Sequence, residues 1–270
     1  MNSTNFSFIG AGNIGSAILE SMIEQKIVDA SNIYVSDVDK GKLHKLKTNF
    51  AVESVADNKK AVSVADIVFL CVKYDVCEAV LEEIYDNWRP NQTLVFIVLG
   101  WSTGKIRTKI PSFVNVIKVL PNTPMLVGEG ATLISDEHNL DPKVFDFIIK
   151  LFSSQGLVMI TDECLFNAAA AINYSGPAFL YIMAEAMADT VVKNGLPRDV
   201  AYELLSQTMA GAAKLMQQTG KSPNQLKNEI CSPGDTNIDG IIELEKSNFR
   251  AGVINAVQAS IDRAAQLKSE

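Results

Sequence analysis

Histidine is the scarcest chemical resource of this 270-residue chain, with only His44 in KGKLHKLK and His138 in SDEHN. Both stretches are polar, and both side chains read as solvated surface residues. Chemistry that turns on an imidazole acid–base is poorly supplied. The four cysteines, Cys71, Cys77, Cys164 and Cys231, form no C-x-x-C pair and have no histidine nearby. That argues against zinc or a disulfide framework and predicts buried, reduced thiols with no metal site. Positive charge is not in excess: 24 Lys and Arg face 31 Asp and Glu, a net charge of -7. A basic stripe for nucleic acid is therefore lacking. Apolar runs such as IVFLCV and TLVFIVLGW are far too short to span a bilayer. The stretch MNSTNFSFIG lacks the basic start and apolar run of a signal peptide. A cytoplasmic protein without nucleic-acid or membrane partners is expected.

What is present is a folded chain, 47% hydrophobic and 20% charged, with no repeat and no low-complexity tract. The first half alternates β-rich runs with helical patterns. FSFI (6–9), NIYVSD (32–37), DIVFLCV (66–72), TLVFIVL (93–99) and NVIKVL (115–120) read as strands, and GATLISD (130–136) and LVMI (157–160) as further ones. Between them 13–26, 39–49, 74–86, 102–109 and 141–153 carry helical spacing or composition. This alternation predicts an α/β fold, a doubly wound parallel sheet covered by helices on both faces. After about residue 161 the remaining patterns are helical: 162–171, 177–194, 198–218, 222–229, 236–246 and 248–267. Two domains are expected, 1–160 and 161–270. Segment 168–192 is apolar on most faces, which implies burial all round and a helix-mediated homodimer, or else a central helix within one chain.

Residues 10–15 read GAGNIG, after the strand FSFI and at the start of a helical pattern. Gly10 permits the tight turn, Gly12 lets a pyrophosphate approach the backbone, and Gly15 allows close helix–strand packing. The helix N-terminus then offers free N–H groups to phosphates. Asp37 ends the second strand 22 residues after Gly15, where an acid accepts from a ribose 2′-OH and repels a 2′-phosphate. Taken alone it leans toward NADH, although Lys40 and Lys42 stand close, and capping of a helix near Asp39 is the alternative use of Asp37. A Rossmann-like, nicotinamide-dependent reductase or dehydrogenase is indicated.

Several blocks then occur in order over nearly the whole chain: FIGAGNIGSAI (8–18), ADIVFLCVK (65–73), KVLPNTP (118–124), VGEGAT (127–132), SGPAF (175–179), SPGDTNIDGIIELE (232–245) and INAVQAS (254–260). Together they resemble the pyrroline-5-carboxylate reductase family. The resemblance implies a Rossmann domain binding NADPH or NADH, followed by an all-α dimerisation domain, with higher assembly of dimers common. It implies reduction of a small cyclic imine, 1-pyrroline-5-carboxylate, to L-proline. Carried over by position, Gly10, Ala11, Gly12, Asn13, Ile14 and Gly15 hold the pyrophosphate, and Asn58 lies near the cofactor ribose. Val72 and Lys73 match a V-K-P motif, and Asn122 and Thr123 an N-T-P turn beside the nicotinamide. Ser175, Gly176 and Pro177 match the end of an S-G-S-G-P-A motif whose first Ser-Gly pair is replaced here by Asn173 and Tyr174. Ser232, Pro233, Gly234, Asp235, Thr236 and Asn237 occupy the substrate loop, S-P-G-G-x-T in the family. Thr236, Asn237 and Ser175 become the candidate catalytic residues, and Ser232, Pro233, Gly234, Asp235 and Asn173 the candidate substrate-binding ones.

Imine chemistry explains how such a site dispenses with histidine. An imine nitrogen is basic enough to be protonated near neutral pH, so the protein need only position the iminium and hydrogen-bond it. The helix beginning after Gly234 offers N–H groups to a carboxylate, or residues 232–236 simply cap that helix. The loop departs from the family at Asp235, where a glycine is usual, and at Asn237, where a threonine is usual. An aspartate turned toward an anionic substrate costs on the order of 1–4 kcal/mol. Tyr74 replaces a proline, and Leu99 and Trp101 replace small residues. Three readings follow: this reductase, a relative acting on another cyclic imine or small carbonyl compound, or a weakly catalytic cofactor-binding regulator.

Overall fold

The computed structural model describes residues 4–232 and 234–269. Among the described residues, eight strands form one sheet: β1 (Phe6–Ile9), β2 (Ile33–Ser36), β3 (Glu53–Ser54), β4 (Ile67–Leu70), β5 (Thr93–Phe96), β6 (Asn115–Leu120), β7 (Gly130–Ser135) and β8 (Gly156–Thr161). Their order is β3-β2-β1-β4-β5-β6-β7-β8. Strands β1, β4 and β5 are buried at every position, as expected of unbroken apolar runs with helices on both faces. Phe8 lies opposite Val35 on one side and Phe69 on the other, and the Phe8 and Phe69 rings stack at 4.7 Å.

Six helices connect these strands: α1 (Asn13–Glu24), α2 (Lys40–Phe50), α3 (Asn58–Val64), α4 (Tyr74–Ile84), α5 (Thr103–Arg107) and α6 (Pro142–Ser153). The helices bury two apolar clusters, one containing Phe8, Met22, Ile148 and Phe152, the other Leu70, Leu81, Phe96 and Trp101. Pairing is parallel except between β6 and β7, which are antiparallel. Only a short turn around Thr123–Val127 joins that pair, too little chain for the crossover that a parallel neighbour requires.

Six more helices follow: α7 (Phe166–Asn173), α8 (Gly176–Lys193), α9 (Arg198–Thr219), α10 (Pro223–Glu229), α11 (Thr236–Lys246) and α12 (Phe249–Ser269). Residues up to Tyr174, together with those from Ser260 on, form one compact unit, and Ser175–Ala259 form a second. Helix α7 packs on the sheet, Phe166 and Ala170 clustering with Leu120 and Leu133. Lys118 on β6, itself buried, donates to Glu163 just before α7 at 3.2 Å, and the same carboxylate accepts the Thr103 N–H at 3.1 Å.

In the second unit α8 and α9 pack together, yet α8 buries only Ala188. Leu180, Tyr181, Ile182 and Met187 stay exposed on it, as do Tyr202, Leu204 and Leu215 on α9. Burial all round, expected for 168–192, is thus not met within a single chain.

Two minor expectations are corrected. His138 is half-buried, stacks on Phe145 at 4.0 Å and accepts the Leu140 N–H; burial holds its pKa below the ordinary value. All four cysteines are free, but only Cys77 is fully buried, and Cys164 is exposed. Burial raises both the Cys71 and Cys77 thiols to about 12, so neither is a ready nucleophile.

Candidate functional site

The loop between β1 and α1 is shaped by contact limits at its glycines. Gly10 has φ +99, and a Cβ there would lie 2.6 Å from the Cys71 carbonyl oxygen. A Cβ on Gly15 would lie 2.3 Å from the Gly10 carbonyl oxygen. Gly12 is different, because a Cβ there would meet nothing within 4 Å. Two glycines are thus required for packing, and the third leaves open space beside the N-terminus of α1. No side chain caps that N-terminus, so its N–H groups face the space unpaired by protein side chains.

That space is part of a cleft of about 750 Å³ lined by Gly12, Asn13, Ile14 and Lys42. Val72, Lys73 and Tyr74, at the start of α4, line it from a neighbouring strand end. The N-terminus of α4 also lacks a side-chain cap, so two helix dipoles point their positive ends toward one cleft. Leu99, Leu120, Pro121, Tyr174 and Leu267 make its apolar end. This is where a doubly wound sheet presents a ligand crevice, at the carboxyl ends of strands where the order reverses between β1 and β4. A dinucleotide fits that donor set. Tyr74 and Trp101, two of the bulky departures from the family pattern, are tied together, Trp101 Nε1 donating to the Tyr74 carbonyl at 3.2 Å.

Asp37 sits at the end of β2. One carboxylate oxygen accepts the Ala11 N–H at 2.6 Å, and the other accepts the Asp39 N–H at 2.8 Å. The cap of α2 is Asp39, which accepts from Gly41 and Lys42. Asp37 therefore ties the glycine loop to β2, a role that spacing to a ribose did not anticipate. Asn58 accepts from the Ser36 hydroxyl at 2.8 Å and donates to Glu83 at 2.8 Å. Both residues border a second cavity of about 710 Å³, whose lining includes Lys40, His44 and Lys47 of α2. These three stand at i, i+4 and i+7, one face of a helix. The same spacing is legible in KGKLHKLK.

Asn122 and Asn173 are both buried. Asn122 accepts the Ala131 N–H at 2.8 Å and donates to the Asn173 carbonyl at 3.1 Å, while Asn173 donates to the Leu120 carbonyl at 2.8 Å. The pair fastens α7 to the turn after β6 and thereby sets Leu120 and Pro121 in the cleft wall. Thr123 stands exposed at the start of that turn.

In the second unit, Ser175 is the half-buried N-cap of α8, with no side-chain capping bond. Ser232 is exposed and Gly234 adopts φ +80; Pro233 lies outside the described residues. Asp235 is the N-cap of α11 but makes no capping bond. Its carboxylate instead accepts from the Thr236 hydroxyl at 3.2 Å and from Asn237 Nδ2 at 3.1 Å. Asn237 Nδ2 also donates to the Ile230 carbonyl at 2.8 Å. Both hydrogen bonds use the amide nitrogen, so Asn237 Oδ1 keeps its acceptor capacity. The helix N-terminus keeps its N–H groups free of side-chain caps, which suits an anion.

Comparison with known proteins converges on one group. The family description "Pyrroline-5-carboxylate reductase dimerisation" matches residues 163–267, and "NADP oxidoreductase coenzyme F420-dependent" matches 5–100. Pyrroline-5-carboxylate reductase 3 of Danio rerio is 35% identical over 260 residues, covering 96% of this chain and 90% of the relative. The pyrroline-5-carboxylate reductase of Escherichia coli K12 is 31% identical over 260 residues, covering 96% and 97%. The crystal structure of Plasmodium falciparum pyrroline carboxylate reductase with NADP bound superposes with a TM-score of 0.91 at 29% identity, covering 99% of each chain.

Proposed function

Because this chain belongs to the pyrroline-5-carboxylate reductase family, we infer that it reduces the C=N bond of 1-pyrroline-5-carboxylate to give L-proline, using a reduced nicotinamide dinucleotide. The chief support is the full-length relationship to such reductases, joined to a glycine loop whose open Gly12 adjoins an uncapped helix N-terminus. Consumption of reduced dinucleotide on addition of 1-pyrroline-5-carboxylate, absent without it, tests the reaction. We assign dinucleotide binding to residues 1–160, and dimerisation and the substrate loop to 161–270.

Gly10–Gly15 and the start of α4 would hold the cofactor's phosphates, with Leu99, Leu120 and Pro121 beside its ring. When bound, the reduced nicotinamide supplies a hydride that enters the imine carbon as the C=N electron pair passes to nitrogen. The chain's own task is to hold that nitrogen protonated and the substrate carboxylate fixed. Free N–H groups at the start of α11 suit the carboxylate. Asn237 Oδ1, and a Thr236 hydroxyl whose proton is directed at Asp235, present acceptors to an iminium N–H. Asp235 is drawn back to its own loop by Thr236 and Asn237, so its charge is partly compensated there.

For the cofactor we propose NADPH over NADH. Asp37, which alone favours NADH, accepts two backbone N–H groups, while Lys40, His44 and Lys47 line the adjoining cavity and suit a 2′-phosphate. In the double variant Lys40→Ala, Lys47→Ala, NADPH affinity is expected to fall about tenfold or more, on the order of 1.4 kcal/mol, with NADH affinity unchanged. Equal loss for both dinucleotides, measured by fluorescence titration, refutes the assignment.

A further inference from the structure

The last turn of the chain's final helix meets the wall of the cofactor cleft. From Ser260 on, α12 belongs to the same compact unit as the sheet, and its inward face runs through Ile261, Ala264 and Leu267, which are half-buried or buried. This spacing of three is one helical stripe. Leu267 abuts Gly100, in the turn that follows β5. Gly100 has φ +85, and a Cβ there would lie 2.7 Å from the Leu267 Cβ and 3.2 Å from its carbonyl carbon. Any residue larger than glycine would displace the helix backbone, because the obstructing atoms are not the far end of a flexible side chain.

The turn itself is held. Trp101, next in sequence, is buried, bonds to the Tyr74 carbonyl and carries Lys105 over its ring at 4.5 Å. Leu267 thus rests against a fixed support, and it lines the same cleft as Gly12 and Leu99. Leu267 brings α12 into a wall that β6 and the loops after β5 and β6 also build, through Leu99, Leu120 and Pro121.

We propose that Leu267, carried by the end of α12, is a cofactor-positioning residue: it closes the apolar end of the cleft, so that dinucleotide binding and docking of the C-terminal turn reinforce each other. The inference rests on the proposal that this cleft holds the nicotinamide dinucleotide. Two groups that contact one ligand are linked reciprocally. A bound dinucleotide must therefore suppress fraying of the last turn, and loss of the last turn must weaken dinucleotide binding.

The experiment uses the full chain, with NADPH and NADH as probes and no imine. Hydrogen exchange at residues 264–267 is measured with and without saturating dinucleotide, and dissociation constants are measured for the wild type, Leu267→Ala and Leu267→Met. Exchange is expected to slow on binding. Leu267→Ala should raise the dissociation constant roughly three- to tenfold through lost apolar contact, and Leu267→Met should restore most of it. A residue that merely stabilises the fold would lower the melting temperature without changing affinity among folded molecules. If the wild type binds dinucleotide while exchange at 264–267 and the affinity of Leu267→Ala stay unchanged, the proposal is overturned. If neither dinucleotide binds at all, the cofactor assignment beneath it falls first.

Discussion

Gly12 and Gly15 separate two uses of the same residue. At Gly15 a methyl group would collide with the Gly10 backbone, whereas at Gly12 it would enter open space. Gly15→Ala is therefore expected to lower folding stability by about 1–3 kcal/mol, the usual cost of overpacking. Gly12→Ala should fold with near-native stability and lose dinucleotide affinity at least tenfold. Thermal melts and cofactor titration of the two variants check the division, and a destabilised but normally binding Gly12→Ala would reverse it. Asp37 teaches the complementary lesson. It stands at the end of β2, as its spacing from the glycine loop places it, but the hydrogen bonds it makes to Ala11 and Asp39 depend on a carboxylate orientation that spacing does not encode.

Among the elements, long apolar runs were legible and short polar ones were not. FSFI and NVIKVL stand where their composition places them, because burial on both faces writes itself into apolar runs, and the helices from α8 to α11 are separated by the Gly and Pro of NGLPR, TGKSPN and CSPGDT. Strand β3 has two residues, both exposed, and α3 is a seven-residue helix begun by Asp57, which accepts the Lys60 N–H. Neither is long enough to show a period, and the sheet's tertiary context holds both in place. The antiparallel β6–β7 pair was legible in the nine residues between NVIKVL (115–120) and GATLISD (130–136), too few for a parallel crossover, whereas the βα alternation before it points to a parallel sheet. The link from β6 to α7 was invisible, because Lys118 and Glu163 are 45 positions apart. Glu163→Gln removes the carboxylate charge that a buried lysine faces. It is expected to destabilise the chain by about 3 kcal/mol or more in denaturant unfolding. A loss under about 1 kcal/mol would show that the pair behaves as a surface one.

For the whole molecule, α8 and α9 leave large apolar side chains exposed, Leu180, Tyr181, Ile182 and Met187 on one and Tyr202, Leu204 and Leu215 on the other, the kind of surface that marks an interaction site when it is contiguous. The family match across 163–267 is to a dimerisation domain, which makes these faces the place to test for association between copies of this chain. Ile182 is 67% exposed on α8, so Ile182→Asp leaves the single-chain fold intact and places a charge on the uncovered surface. Sedimentation at micromolar concentration is expected to show the variant at a lower mass than the wild type, and an unchanged mass would exclude this face of α8 from the interface. Substrate identity sits at the same scale, because the glycine loop and the 232–237 loop come from separate compact units. The most direct measurement supplies 1-pyrroline-5-carboxylate and NADPH deuterated at the transferable position, then identifies the product. Proline carrying the deuterium at the former imine carbon is the predicted result. A protein that binds NADPH yet leaves 1-pyrroline-5-carboxylate unreduced would contradict the account.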